Sequence, residues 1–213
     1  NFFSADFLYA RSQEKAREDR YDEAVNLLDK ALSLHYEHVY QDKLSLYLAT
    51  EAYLSSYQKE NVATQRLMVR ADQESKASLH ASYDNILYWR TKGKNYFLFY
   101  QMTSSKKYLD QSISSFNHAS ELAPTDPKTL YMKALVYSYA YEEEKDKKMQ
   151  EIYKNFSLAT IDHALQLKSN YRDAYFLKGQ LLKKYGKKNE ARGVFEYILK
   201  YINPKDEEVI KEM

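Results

Sequence analysis

The sequence predicts an all-α chain, about five antiparallel helix pairs stacked as a single domain over residues 1–213. Three observations predict it. The 213 residues include only four Gly and three Pro, too few to supply the many tight turns of a β-sandwich or barrel. Hydrophobic residues make up 44% and charged residues 29%, the balance of an ordered chain long enough to bury a core. A helix-pair pattern, most often a small residue followed a dozen or more positions later by a small–large–small triplet, recurs five times along the chain with departures at Leu44 and Ile198.

The first copy reads Leu8, Ser12, Lys15, then Ala24-x3-Leu28 and Ala31. It implies helices at about 4–18 and 21–34. The second reads Tyr40, Leu44, Tyr47, then Ala63-x3-Leu67 and Ala71, with helices at about 37–57 and 60–80. The third is the fullest: Trp89-x2-Lys92-Gly93-x2-Tyr96, then Ser112-x3-Phe116, Ala119 and Pro124, for helices at about 84–102 and 105–122. The fourth reads Leu130-x2-Lys133-Ala134-x2-Tyr137, then Ser157-x3-Ile161 and Ala164, for helices at about 127–144 and 147–167. The fifth reads Tyr175-x2-Lys178-Gly179-x2-Leu182, then Gly186, Ala191-x3-Phe195, Ile198 and Pro204, for helices at about 171–185 and 188–201. The repeats therefore run at approximately 4–36, 37–82, 84–124, 127–169 and 171–204.

The physics of each copy is the same. The small residue lets two helices approach, the large residues fill the space beside it, and a following Pro stops the second helix. Asp126-Pro127 and Asn203-Pro204 mark turns. Asn170 is placed to cap the helix that follows it, and Asp206-Glu207-Glu208 to open a short last helix. The mixed run Glu142–Lys148 reads as a solvated junction.

These copies resemble the tetratricopeptide (TPR) repeat, whose pattern is W-x2-L-G-x2-Y, then A-x3-F, then Pro. The resemblance covers nearly the whole chain and implies a superhelix of helix pairs. Some pairs depart from the ordinary spacing. Ser12 to Ala24 and Gly179 to Ala191 are 12 apart, Leu44 to Ala63 and Gly93 to Ser112 are seven longer, and Ala134 to Ser157 is eleven longer. Seven and eleven are close to two and three turns at roughly 3.6 residues per turn. The middle helices are thus expected to be lengthened in place, with their packing face in phase. Tyrosine is abundant, 22 residues, which suits many thin helix layers, since a flat ring packs while its hydroxyl reaches water.

In a TPR superhelix the first helix of each pair lines the concave face, where partners bind. The resemblance places Tyr9, Gln13, Gln41, Ser45, Arg90, Lys94, Phe97, Tyr131, Leu135, Tyr139, Phe176, Gln180 and Lys184 there. Some TPR domains hold a peptide carboxylate with Lys and Asn at two fixed positions of the first helix. Here those positions hold Tyr9/Gln13, Gln41/Ser45, Arg90/Lys94, Tyr131/Leu135 and Phe176/Gln180, so a chaperone-tail receptor is disfavoured.

Few residue patterns point to chemistry. The chain has no Cys, which removes disulfides and thiolate metal sites. No H-E-x-x-H occurs among its five His. His118 and His163 hold a repeat position that Lys30 takes in the first copy, which makes them structural surface residues. His35 and His38 flank a turn away from carboxylates. Ser12-x-x-Lys15 and Ser104-x-x-Lys107 lack the partner motifs that S-x-x-K chemistry needs. No Gly-rich phosphate loop exists, and no carboxylate stands in an apolar setting fit for acid–base work. Asn155-Phe156-Ser157 fits a glycosylation acceptor, but Ser157 is at a packed repeat position. Lys183, Lys184, Lys187 and Lys188 surround the last hairpin turn and complement a helix C-terminus. No catalytic residue, cofactor or metal ligand is expected.

The 32 basic and 30 acidic residues are interspersed, with net charge +2, so nucleic acid is not an expected partner. No apolar run is long enough to span a bilayer, and no signal peptide is visible. The expected role is a non-catalytic scaffold that holds a protein or peptide. A second resemblance is to the TPR tails of bacterial O-antigen ligase or polymerase-like membrane proteins. It is carried by the Phe3–Ala24 opening, Asn85–Tyr96, Ala123-Pro124-Thr125-Asp126-Pro127 and Ser169–Tyr175. It implies a glycan-transfer protein whose catalytic part lies elsewhere, tethered to a membrane by an upstream region, and the opening at Asn1 fits a processed or excised chain. A third reading is a regulator that senses a signalling peptide. The compartment, cytoplasmic or extracytoplasmic, and the oligomeric state stay open.

Overall fold

A computed structural model describes residues 2–58 and 61–213. Among them are only helices, in the order α1 (Phe2–Arg17), α2 (Tyr21–Leu34), α3 (His38–Tyr57), α4 (Asn61–Ala81), α5 (Ile86–Thr103), α6 (Lys106–Leu122), α7 (Pro127–Glu143), α8 (Lys147–Leu167), α9 (Arg172–Lys184), α10 (Lys188–Tyr197) and α11 (Glu207–Glu212). The chain divides into two compact units, Asn1–Leu122 and Ala123–Met213. The first holds hairpins α1–α2, α3–α4 and α5–α6; the second holds α7–α8, α9–α10 and α11. No helix among the described residues is long and apolar enough to cross a membrane.

The five expected pairs are present, and their middle members are the long ones. α3 has 20 residues and α4 and α8 have 21, against 14 for α2 and 13 for α9. The expected start of α4 at position 60 lies outside the described residues. Four of the five small–large–small triplets are buried as the pattern requires: Ala24, Leu28 and Ala31; Ser112, Phe116 and Ala119; Ser157, Ile161 and Ala164; Ala191, Phe195 and Ile198. In α4 the last member, Ala71, is buried as expected, and the first two are displaced by one. Thr64 and Met68 are buried, while Ala63 and Leu67 are half-buried beside them. α4 packs on both α3 and α5, so its buried stripe is wide and neighbouring positions share it.

The helix crossings show why the small residues are small. A Cβ added at Gly93 would lie 2.8 Å from the Phe116 ring, and one at Gly179 would lie 2.3 Å from the Phe195 ring. At the first of these crossings Ser112 Oγ donates to the Gly93 carbonyl at 2.8 Å, a bond that only close backbone approach allows.

The ends of the helices follow local chemistry. The Asp126 carboxylate accepts from the Lys128 and Thr129 amides, with Pro127 in the first turn of α7. Asp146 caps α8 and Asp206 caps α11. Asn170 does not cap α9: Tyr171 occupies that position, makes no side-chain cap, and its carbonyl receives the Ala174 and Tyr175 amides. α10 ends earlier than the pattern implies and opens into a π-helical turn, Ile198–Ile202, closed by Asn203 N–H donating to the Ile198 carbonyl at 2.8 Å. Pro204 has no N–H to continue an α-helical ladder, so the chain leaves through a wider turn.

α11 is fastened at its start. Val209 is fully buried against Leu182, Ala191, Phe195 and Ile198. The Arg172 guanidinium donates to both carboxylate oxygens of Asp206 at 2.8 Å each, and this pairing holds the Asp206 carboxyl below its ordinary pKa. Asp206 is 5% exposed, so removing its partner leaves a buried charge. Arg172→Met is therefore expected to speed amide hydrogen exchange across 207–213 at least about tenfold, by the loss of ~1.5 kcal/mol or more of charge-assisted bonding. Unchanged exchange there would show that Val209 alone seats the helix.

Candidate partner-binding site

In the first unit the expected partner-facing residues fall into two groups. Tyr9, Gln13, Arg90 and Lys94 are half-buried, whereas Gln41, Ser45 and Phe97 are buried. The Tyr9 ring stacks on Tyr40 at 4.7 Å between centroids, which joins α1 to α3. The Tyr40 hydroxyl donates to the Asp6 carboxylate, and burial together with that bond pushes the Tyr40 pKa up to about 12. Gln41 donates to Glu74 Oε2 at 2.9 Å and accepts from the Tyr36 hydroxyl at 2.6 Å. Phe97 stacks on Tyr100 at 6.2 Å.

The sequence pattern missed the centre of this region, Asp42. It is 6% exposed. Its Oδ2 accepts from Thr91 Oγ1 at 3.0 Å across the α3–α5 contact, and its Oδ1 has no hydrogen-bond partner among the described residues. Beside it Asn95 Nδ2 donates to Ser45 Oγ at 3.1 Å, and Ser45 Oγ donates to the Asp42 carbonyl. Burial raises the Asp42 carboxyl to about 7, although the Thr91 bond and the charges of Lys43, Lys94 and Arg90 oppose the rise. The negative charge of Asp42 also adds to the burial that raises the pKa of Tyr9 and Tyr88. The expectation that no carboxylate stands in an apolar setting is thus corrected. Asp42 lies in the mixed stretch Tyr40-Gln41-Asp42-Lys43, two residues from both Tyr40 and Leu44 and so on the opposite side of the helix from them, and it is buried because α3 packs against α2, α4 and α5.

In the second unit α7 and α9 form one cleft of about 360 Å³. Leu135, Leu177 and Leu181 give it an apolar floor, and Tyr139, Gln180, Lys183, Lys184 and Glu212 give it a polar rim. The structure therefore brings together Leu135, Tyr139, Gln180 and Lys184. Tyr131 and Phe176 pack elsewhere. The Tyr131 ring lies 5.7 Å from Tyr171, and Phe176 lies between Phe195, at 6.0 Å, and the Arg172 guanidinium, at 4.7 Å.

Lysines of the last hairpin are already paired. Lys183 meets Glu212 at 2.8 Å, Lys184 meets Glu142 at 2.8 Å and also lies over the Tyr139 ring at 5.5 Å, and Lys187 meets Glu190 at 3.1 Å. Among the described residues no group of three or more His, Cys, Asp or Glu is placed to hold a metal ion. His35 does find a carboxylate, with Nε2 3.0 Å from Glu37, contrary to the expectation from sequence. His118 is a packing residue rather than a surface one: its ring is 4.3 Å from Trp89 and 5.2 Å from Tyr83. Ser157 is buried with its hydroxyl 2.8 Å from that of Tyr185.

No protein-family model matches the sequence, and no curated protein matches it. Solved structures do match. A thermophilic TPR protein of Thermus thermophilus is 16% identical, with 98% of this chain and 96% of that one covered at a TM-score of 0.73. MamA of Desulfovibrio magneticus is 15% identical, covering 95% and 97% at a TM-score of 0.63. Pseudomonas aeruginosa PilF is 17% identical, covering 91% and 74% at a TM-score of 0.63. These likenesses show that the fold is of the TPR type. The resemblance to O-antigen ligase tails has no counterpart in them.

Proposed function

We propose that this TPR-type chain is a non-catalytic scaffold that holds a protein or peptide segment along the first helices of its pairs. The observation that carries the reading is the cleft between α7 and α9, where three leucines form a floor under a rim of Tyr139, Gln180 and two lysines. An apolar floor takes up a side chain, and a rim of donors fixes its backbone or charge. Tyr139 is the natural anchor, since a tyrosine ring presents area at low entropic cost. In the first unit, Tyr9, Gln13, Arg90 and Lys94 offer a second half-exposed surface of the same kind.

Peptides selected from a random displayed library against the intact chain test this reading. Nuclear magnetic resonance should map the selected peptides to α7 and α9, or to the face of α1, α3 and α5. Tyr139→Ala should weaken the α7–α9 class about tenfold without changing the thermal midpoint. Peptides that map only to the second helices of the pairs, or an α7–α9 class that binds Tyr139→Ala unchanged, would refute it.

A further inference from the structure

The cleft between α7 and α9 is partly filled by this chain's own carboxylate. Lys183 Nζ donates to Glu212 Oε2 at 2.8 Å and to the Glu212 carbonyl at 3.2 Å, and Gln180 Nε2 approaches Oε1 at 3.4 Å. We infer that Lys183 and Gln180 form a carboxylate subsite which Glu212 occupies in the free chain. Its outside occupant is an acidic side chain of a partner peptide, flanked by an apolar residue that reaches the leucine floor. This deepens the scaffold reading and rests on it.

Three features carry the inference. The first is chemical. The donors in the rim are an ammonium and an amide, and the group they hold here is a carboxylate. Lys183 lowers the pKa of the Glu212 carboxyl, with Gln180 adding to the effect, so the seat prefers the ionised acid.

The second feature is mechanical. α11 is anchored by Val209 and by the Arg172–Asp206 pair at its start, whereas Glu212 lies at its other end. Six residues of helix span about 9 Å, so the Glu212 side chain can leave its seat by a rotamer change while α11 stays docked. The Glu212 side chain is 28% exposed and that of Lys183 is 50% exposed, and ion pairs of that exposure hold weakly.

The third is charge. Glu142, the other carboxylate near the rim, is paired with Lys184 rather than Lys183. When Glu212 swings out, Lys183 is left facing the cleft with its positive charge unmatched. An incoming acid restores the balance, and an incoming amide does not.

The occupant and the tethered Glu212 then compete for one seat. Competition lowers the apparent affinity by the fraction of chains in which the seat is open, which for an exposed ion pair amounts to about two- to fivefold.

The test is a titration of two capped tetrapeptides, acetyl-Leu-Leu-Glu-Leu-amide and its Gln counterpart, onto the full chain, followed by amide resonances of α7 and α9. Glu212→Gln is expected to tighten the Glu peptide about two- to fivefold, and Lys183→Met to weaken it about fivefold, with Lys183→Arg restoring most of the loss. The Gln peptide should respond to neither change. If both peptides shift the cleft resonances equally in all variants, the groove reading stands and the carboxylate subsite is overturned. If neither peptide shifts them while library-selected peptides do, the subsite is again overturned. If no peptide of any composition shifts the resonances of α7 and α9 or of α1, α3 and α5, both readings fall together. Amide hydrogen exchange across 207–213 in each variant checks that α11 stays docked.

Discussion

Gly179→Ala should cost the chain about 2 kcal/mol or more of stability in urea unfolding, against the usual gain of roughly 1 kcal/mol for Gly to Ala inside a helix. The new methyl would sit 2.3 Å from the Phe195 ring. That ring is 1% exposed and closes the core that Val209 and Ile198 complete, so it has nowhere cheap to go. Gly193→Ala is the control. A Cβ there meets nothing within 4 Å, and stability should rise by about 0.5–1 kcal/mol. The damage at Gly179 should appear first as faster hydrogen exchange in α9 and α10, because a stacked repeat relies on its immediate neighbours. The double variant Gly179→Ala with Phe195→Leu should recover part of the loss, a non-additivity expected only of residues in contact. Equal stabilisation at Gly179 and Gly193 would mean that the crossing is looser than its geometry indicates.

Asp42→Asn should raise stability at pH 8 and leave it nearly unchanged at pH 4. The folded carboxyl has its pKa raised from 3.8 to about 7 by burial. The folded state therefore keeps a proton that the unfolded chain has released, and the contribution of Asp42 to stability falls as pH rises from about 4 to about 7. Three pH units at ~1.36 kcal/mol each put an upper bound of about 4 kcal/mol on the loss. An amide carries no charge at either pH and keeps an oxygen to accept from Thr91 Oγ1. We expect a gain of about 1–3 kcal/mol at pH 8, read from urea midpoints at the two pH values. Other groups shift the pH profile of both chains alike, among them Asp206 and Glu212, which have lowered pKa values. The difference between the two chains isolates Asp42. A gain of the same size at both pH values would show that Asp42 is already neutral or solvated at neutral pH.

Asp42 also illustrates where pattern reading stops. In sequence it sits beside Lys43, inside a stretch of mixed polarity, and a carboxylate next to a lysine reads as solvated surface. It is buried because Thr91 of the next hairpin comes to meet it across α3 and α5. Nothing within α3 announces Thr91, 49 positions away. Gln41 and Ser45 followed the same course: a repeat register placed them on a binding face, and contacts from Glu74, Tyr36 and Asn95 consumed their polar groups.

The helices, by contrast, were legible one by one. Ser112-x3-Phe116 opposite Gly93, and Ala191-x3-Phe195 opposite Gly179, are local statements about volume, and the structure shows the same rings over the same glycines. Asp126-Pro127 and Asp206-Glu207-Glu208 are local statements about hydrogen bonding, and both became caps. Helix period, the spacing of small residues and capping chemistry act over a few turns of chain, so a single sequence carries most of them, although Asn170 does not cap α9 and α10 ends in a π-helical turn. The number of hairpins, their lengthened middle members and the TPR type of the fold follow from such short-range rules. Which polar side chain is consumed between hairpins, which lysine of the last turn meets Glu212 and which meets Glu142, and where an unpaired oxygen is left behind depend on contacts between segments 29 to 50 positions apart. Those are settled by packing, because the energy of a buried polar atom depends on the partner that arrives beside it and not on its neighbours along the chain.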